Sequence, residues 1–324
     1  MSPPQGVLRL LAAAVFALAG YRVVEYPIPR ANAFPHDPAV GHDGIVWYTD
    51  QSNSFIGRLD PTTGKITDYP TPTPKSGPHG IIVAPDGAVW YTANAAGKLG
   101  RLDPATGQIK EFPLPAEAKD PHTPIAFQGK IWFTVQQSDL YGTLDPSTGQ
   151  ARLYRIPTPH ALPYGIAAAP DGSLWIALFG TNRLGHVDAS NSTIREVALP
   201  QSDARPRRIA VDRAGHIWYT DYARGCLGML DPANNKFQEF PSPGGKGAGP
   251  YGIAIAPDGR IWYNESGKND IVVFDPKTEK SSTVPIPTPG AVVRNMAVDS
   301  TRDRLWLALS GTSRIGQIDL RSQQ

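Results

Sequence analysis

Residues 77–113 read GPHGIIVAPDGAVWYTANAAGKLGRLDPATGQIKEFP, and this stretch is one complete structural unit. Two tight turns punctuate it, Pro85-Asp86-Gly87 and Asp103-Pro104-Ala105-Thr106-Gly107. Proline fixes φ, glycine supplies positive φ, and aspartate hydrogen-bonds its own backbone two residues on, so each belongs in a turn. Around the turns lie Ile81-Ile82-Val83, Val89-Trp90-Tyr91-Thr92, Lys98-Leu99-Gly100-Arg101-Leu102 and Ile109-Lys110-Glu111-Phe112-Pro113. These runs have the length and β-branched or aromatic content of strands. Four strands in about 40–45 residues make one propeller blade.

The same unit recurs along the chain. Tryptophans stand at Trp47, Trp90, Trp132, Trp175, Trp218, Trp262 and Trp306, with gaps of 43, 42, 43, 43, 44 and 44 residues. An aspartate follows each at +13: Asp60, Asp103, Asp145, Asp188, Asp231, Asp275 and Asp319. The Pro-Asp-Gly turn returns as Pro170-Asp171-Gly172 and Pro257-Asp258-Gly259. A four-stranded sheet cannot bury both faces alone, so the units stack around an axis. The tryptophans are then packing residues between adjacent blades. The expected fold is all-β: a seven-bladed β-propeller of four-stranded antiparallel blades. After Trp306, strand material runs only to Ile318, one strand short of a blade. Residues Arg22 to Pro29 resemble the outer strands Ile109–Pro113 and Lys236–Pro241. The N-terminal strand is therefore expected to complete the last blade and remove an open edge.

Composition agrees with this architecture. The 33 prolines and 32 glycines, beside 7 tryptophans, favour many short strands over long helices. A net charge of +2 without basic or acidic runs argues against nucleic acid and anionic membrane surfaces as partners. Arg9 followed by the apolar run Leu10 to Ala19, ending Ala17-Leu18-Ala19, has the layout of a signal peptide. That run is too short to span a bilayer. Residues 1–19 are thus expected to be a signal peptide and 20–324 a single propeller domain, periplasmic or secreted, without a membrane span. A closed ring leaves no edge, so a monomer is expected. The lone Cys226 suits an exported chain and is expected as a small apolar filler on an outer strand.

Functional variation is expected on the face carrying the starts of the first strands, where the repeats differ. Reading around the ring, those starts are His36, His79, His122, Tyr164, Arg207, Tyr251 and Arg294. Residues one blade apart in sequence become neighbours at the channel mouth. Three residues beyond each tryptophan come Asp50, Ala93, Val135, Leu178, Asp221, Glu265 and Leu309. The third blade adds Gln136 one residue later, and Asp120 two residues before His122. Oxygen donors beside imidazoles can hold Mg2+ and keep a general base nearby.

These residues resemble a known family. Gly77-Pro78-His79-Gly80-Ile81 and Leu162-Pro163-Tyr164-Gly165-Ile166, with Tyr69-Pro70-Thr71-Pro72 and Pro285-Ile286-Pro287-Thr288-Pro289, are similar to the streptogramin B lyases, the virginiamycin B lyase family. The resemblance covers roughly residues 22 to 320. It implies a seven-bladed, Mg2+-dependent monomer that opens the ester ring of a cyclic depsipeptide antibiotic by elimination, without adding water. It also implies a Glu-Pro-His tripeptide, a Glu just past the tryptophan, a His from the preceding blade and a Tyr from the following one. Asp120-Pro121-His122 matches the tripeptide, Gln136 the second Glu, His79 the preceding His and Tyr164 the following Tyr. The resemblance thus assigns His122, His79 and Tyr164 to catalysis and Asp120 and Gln136 to the metal. His36, Arg207, Tyr251, Glu265 and Arg294 remain to line the substrate. Two features depart from the family pattern: Gln136 is neutral and Asp120 is a methylene shorter than Glu. The matching set also lies in the third blade instead of the last. Two other functions are compatible with the same mouth: a non-catalytic propeller binding an anionic ligand through Arg207 and Arg294, and a metal-dependent lactone hydrolase using Glu265, Asp221 and Asp50.

Overall fold

A computed structural model describes residues 20–321. The expected signal segment, residues 1–19, lies outside the described residues. Seven four-stranded antiparallel sheets are present, and in six of them the strand order follows the chain. We number the blades 1 to 7 and letter their strands a to d from the channel outward. In blade 2 these are Pro78–Val83, Val89–Ala93, Lys98–Leu102 and Ile109–Pro113. Among the described residues no helix is long and apolar enough to cross a membrane.

Closure follows the expected route. The seventh sheet takes its outer strand from the chain start, Val23–Pro27, paired antiparallel with Arg314–Asp319 in the register Val23 to Ile318 and Pro27 to Arg314. Every tryptophan packs into the next blade. Trp132 of blade 3 clusters with Ile166, Leu174 and Ile176 of blade 4, and Trp306 of blade 7 with Val46 and Tyr48 of blade 1. Strands b lie between two such layers, so Val46–Asp50 and Leu174–Leu178 are buried at every position. Outer strands alternate instead, as in Lys236–Pro241. Cys226 differs from expectation. It is buried on the third strand of blade 5, Cys226–Asp231, while Lys236–Pro241 forms the outer one.

The strand that lines the channel is bulged in each blade. In blade 2 the pairing with strand b skips from Pro78 to Ile81, leaving His79 and Gly80 out of the ladder, and blades 1 and 3 to 7 repeat the shift. A bulge re-aims side chains, and here it presents two residues per blade to the axis. A threonine two residues past the tryptophan secures it. Thr92 Oγ1 accepts the Gly80 N–H at 2.9 Å and donates to the His122 carbonyl of the next blade at 2.8 Å. Thr49 and Thr134 do the same for blades 1 and 3. At Gly80 the next blade comes so close that an added Cβ would stand 2.4 Å from the His122 carbonyl oxygen.

Candidate functional site

The bulges build two rings of side chains, one above the other. In the upper ring His36, His79, His122 and Tyr164 form a continuous arc. Neighbouring ring centroids are 3.8, 3.8 and 3.9 Å apart, tilted by 40° to 52°. The other side of the ring is cationic and phenolic. Arg207 lies against Tyr164 and Tyr251, whose hydroxyls hydrogen-bond to each other in front of it. Arg294 stacks over Phe34 and lies near enough to His36 to act on its charge.

The lower ring closes the channel. Arg208 of blade 5 donates to both carboxylate oxygens of Asp37 of blade 1 at 2.9 and 3.1 Å, and to Thr123 Oγ1 at 3.4 Å. Asp37 also accepts from His36 Nδ1 at 2.9 Å, and His122 Nδ1 meets the Thr123 hydroxyl at 3.0 Å. Below this floor a channel cavity of about 200 Å3 continues between Ile81, Ile166, Ile253 and Met296. The repeat pattern alone does not single out Asp37, Thr123 and Arg208. Asp37 and Arg208 nonetheless stand out as opposite charges at a position that blades 2, 4 and 6 fill with Gly80, Gly165 and Gly252.

Burial decides the protonation of this mouth. It pushes His79 and His122 well below the ordinary imidazole value, and neighbouring imidazoles and Arg208 push the same way. His36 is also lowered by burial, against the pull of Asp37. Burial alone would raise Asp37, but Arg208 and His36 hold it well below the usual carboxylate range. Burial raises the Tyr164 hydroxyl, with Tyr251 beside it adding to the shift. At neutral pH the arc therefore consists of neutral imidazoles next to a neutral phenol, a set able to accept and return one proton.

The remaining expected residues lie on the loops above. Asp120 has φ of 67°, the left-handed conformation that Gly77 and Gly249 adopt at the same place in their blades. Its carbonyl accepts the Gln136 N–H at 3.0 Å, which joins the two loops. Its carboxylate accepts from Asn94 of blade 2, and burial pushes its pKa up to about 6, with the Gln137 amide opposing. Among the described residues no hydrogen bond links Asp120 to His122. Asp120 hydrogen-bonds to amide groups and pairs with no cation among the described residues, so its carboxylate, with the Gln136 amide oxygen as a second donor, is of the hard oxygen type that Mg2+ takes. The residues fit that ion in donor type, with one carboxylate where the family pattern has two. A second group, His36, Asp37 and His79, places ligand atoms within 4.8 Å of one another, but Asp37 there is already held by Arg208.

Glu265 departs from its expected place. It is 1 % exposed, and its carboxylate accepts from Ser242 Oγ and from the Gly244 N–H at 2.8 Å. Asp221 accepts the Arg205 N–H at 3.0 Å and Asp50 the Phe34 N–H at 3.0 Å in the matching loops of their blades. All three carboxylates cap loop backbones, because a strand-b terminus beside bare N–H groups is a natural acceptor position.

Comparison with known proteins places this geometry. The model of the virginiamycin B lyase family matches residues 19–246. The solved virginiamycin B lyase from Staphylococcus aureus is 26% identical, with a TM-score of 0.86 over 93% of this chain and 100% of that one. A streptogramin B lyase structure is 25% identical, with a TM-score of 0.87 over 94% of this chain and 100% of that one. A catalytically inactive histidine-to-alanine variant of the Staphylococcus aureus enzyme, solved with quinupristin, is 25% identical, with a TM-score of 0.86 over 93% of this chain and all of its own. No curated protein matches the chain.

Proposed function

Because the chain belongs to the virginiamycin B lyase family, we propose that it opens a cyclic ester by elimination at the mouth of its channel. The observation that carries this reading is the arc His79–His122–Tyr164, drawn from three consecutive blades with rings 3.8 and 3.9 Å apart. Elimination needs a proton acceptor that is neutral at working pH, and burial keeps His122 neutral. In this mechanism His122 takes the proton from the carbon beside a carbonyl. The electron pair of that C–H bond becomes a C=C bond, and the adjacent C–O bond breaks with its pair on a carboxylate. His79 packs against His122 and fixes its ring. Tyr164 supplies a hydroxyl that stays protonated and orients the ester.

Asp120 and Gln136 would hold Mg2+, which supplies Lewis-acid polarisation of a carbonyl when bound. The hydrolase reading loses support, since Asp50, Asp221 and Glu265 are each committed to loop backbone.

The test is incubation of purified protein with a streptogramin B antibiotic, with and without EDTA, followed by mass spectrometry. The expected product is ring-opened with unchanged mass, lost with EDTA and lost in His122→Ala. A product heavier by one water assigns hydrolysis instead. Unchanged turnover in His122→Ala removes that residue as the base.

A further inference from the structure

We infer that Arg207 and Arg294 form an oxyanion site at the channel mouth, and that it takes the carboxylate set free when the ester opens; the second half of this inference rests on the elimination proposed above. The Arg207 guanidinium is caged by four rings, 4.1 Å from the Tyr251 centroid, 4.5 Å from Tyr222, 4.8 Å from Phe179 and 4.9 Å from Tyr164. Such a cage fixes the cation through its faces and leaves the in-plane Nη groups to donate. One of them, Nη2, reaches the Tyr164 hydroxyl at 3.3 Å. Among the described residues neither Arg207 nor Arg294 pairs with a carboxylate, and the Nε of each is sealed without an acceptor.

The next residue shows the contrast. Arg208 faces the same axis, and Asp37 neutralises it at 2.9 Å. No acid on this side is free to do that for the upper ring. Asp221 is held by backbone N–H groups of Arg205 and Arg224, and Glu265 by Ser242 and Gly244. The upper ring therefore carries two half-buried positive charges without a carboxylate partner among the described residues. A guanidinium without a counter-charge is the usual partner of a carboxylate, whose two oxygens match its fork.

The elimination supplies such a group. The C–O bond breaks with its electron pair on the acyl oxygen, so negative charge grows where the neutral ester had none. Donors fixed in advance at that place favour the transition state over the ground state. Arg207 adjoins Tyr164 and Arg294 adjoins His36, so the two cations flank the arc that accepts the proton.

Isothermal titration of the whole protein with benzoate, and with benzamide as the uncharged analogue, tests the site. Benzoate is expected to bind at least ten times more tightly than benzamide, less so at high salt. Arg294→Ala and Arg207→Lys should each weaken benzoate about ten-fold, the lysine because it lacks the planar fork. Equal binding of the two probes, no benzoate binding, or full affinity in a folded double variant overturns the site. With a streptogramin B substrate, Arg207→Lys should lower kcat with KM little changed, and an unchanged kcat overturns the leaving-group role. Benzoate binding without any turnover also overturns that role while the anion site stands, which separates the two failures.

Discussion

Moving the protein from pH 7.5 to pH 5.5 should cost it about 3 kcal/mol of stability, through His79 and His122. Both are held well below the ordinary imidazole value, first by burial and then by neighbouring imidazoles and Arg208. The sign follows from where the proton goes. Above the unfolded imidazole value of about 6.5, both folded and unfolded chains are neutral and pH has no leverage. Below it the unfolded chain binds protons that the folded channel refuses. Each histidine then takes away about 1.4 kcal/mol per pH unit, which gives the total for the pair. His36, buried in the same arc, and His186, stacked on Trp175, are lowered too and act in the same direction. Asp120 and Asp270 oppose them. Both are raised to about 6, so the folded state takes up their protons first and gains as pH falls. Their partial exposure screens that gain and keeps it the smaller effect. Urea unfolding followed by tryptophan fluorescence measures the difference, with the slope on urea checked for constancy. In a His79→Gln/His122→Gln variant most of the acid sensitivity should disappear. A wild-type stability equal at the two pH values would refute the reasoning, as would an undiminished loss in that variant.

Asp37→Asn should cost about 3 kcal/mol or more, because it strands a buried Arg208. The expected fall in Tm is roughly 6–12 °C by scanning calorimetry, and a change below about 2 °C would contradict the ion pair's role. Val23→Asp places a carboxylate on the closing strand at a position 2 % exposed and opposite Ile318. The cost of an unpaired buried charge should release that strand, so limited proteolysis should cut the chain before residue 30 first. Retention of the wild-type cleavage pattern would argue against closure by this strand.

The fold was legible because its signal is redundant. Seven tryptophans at nearly constant spacing, each with Asp at +13, over-determine the blade, and an error in one repeat is corrected by the others. Even closure could be read, since Arg22 to Pro29 shares its pattern with Lys236–Pro241. The site was legible in part for the same reason. Equivalent positions in adjacent blades must meet, so His36, His79, His122 and Tyr164 could be placed side by side from spacing alone. Symmetry says nothing about contacts across the axis. Asp37 and Arg208 are 171 residues apart and belong to blades 1 and 5, so no repeat argument pairs them. Glu265 failed for another reason. Its place after the tryptophan is shared by the apolar Ala93, Val135, Leu178 and Leu309, yet its side chain turns into its own loop toward Gly244 instead of toward the axis.

The same backbone ring carries two opposed chemistries, and the arginines connect them. Beyond burial, Arg294 and Arg208 push the pKa of His36 down, and Arg207 and Arg208 push that of His122 down. An acid facing Arg207 or Arg294, as Asp37 faces Arg208, would weaken the part of that shift which the arginines add to burial. It would also occupy the guanidinium that an anion needs. Leaving both arginines without carboxylates therefore does two things at once. It adds to the burial that keeps the arc neutral, which a proton acceptor requires, and it keeps a positive site open beside the bond that releases negative charge. Asp37 neutralises the floor alone, where a free charge would serve neither purpose and would only weaken the fold.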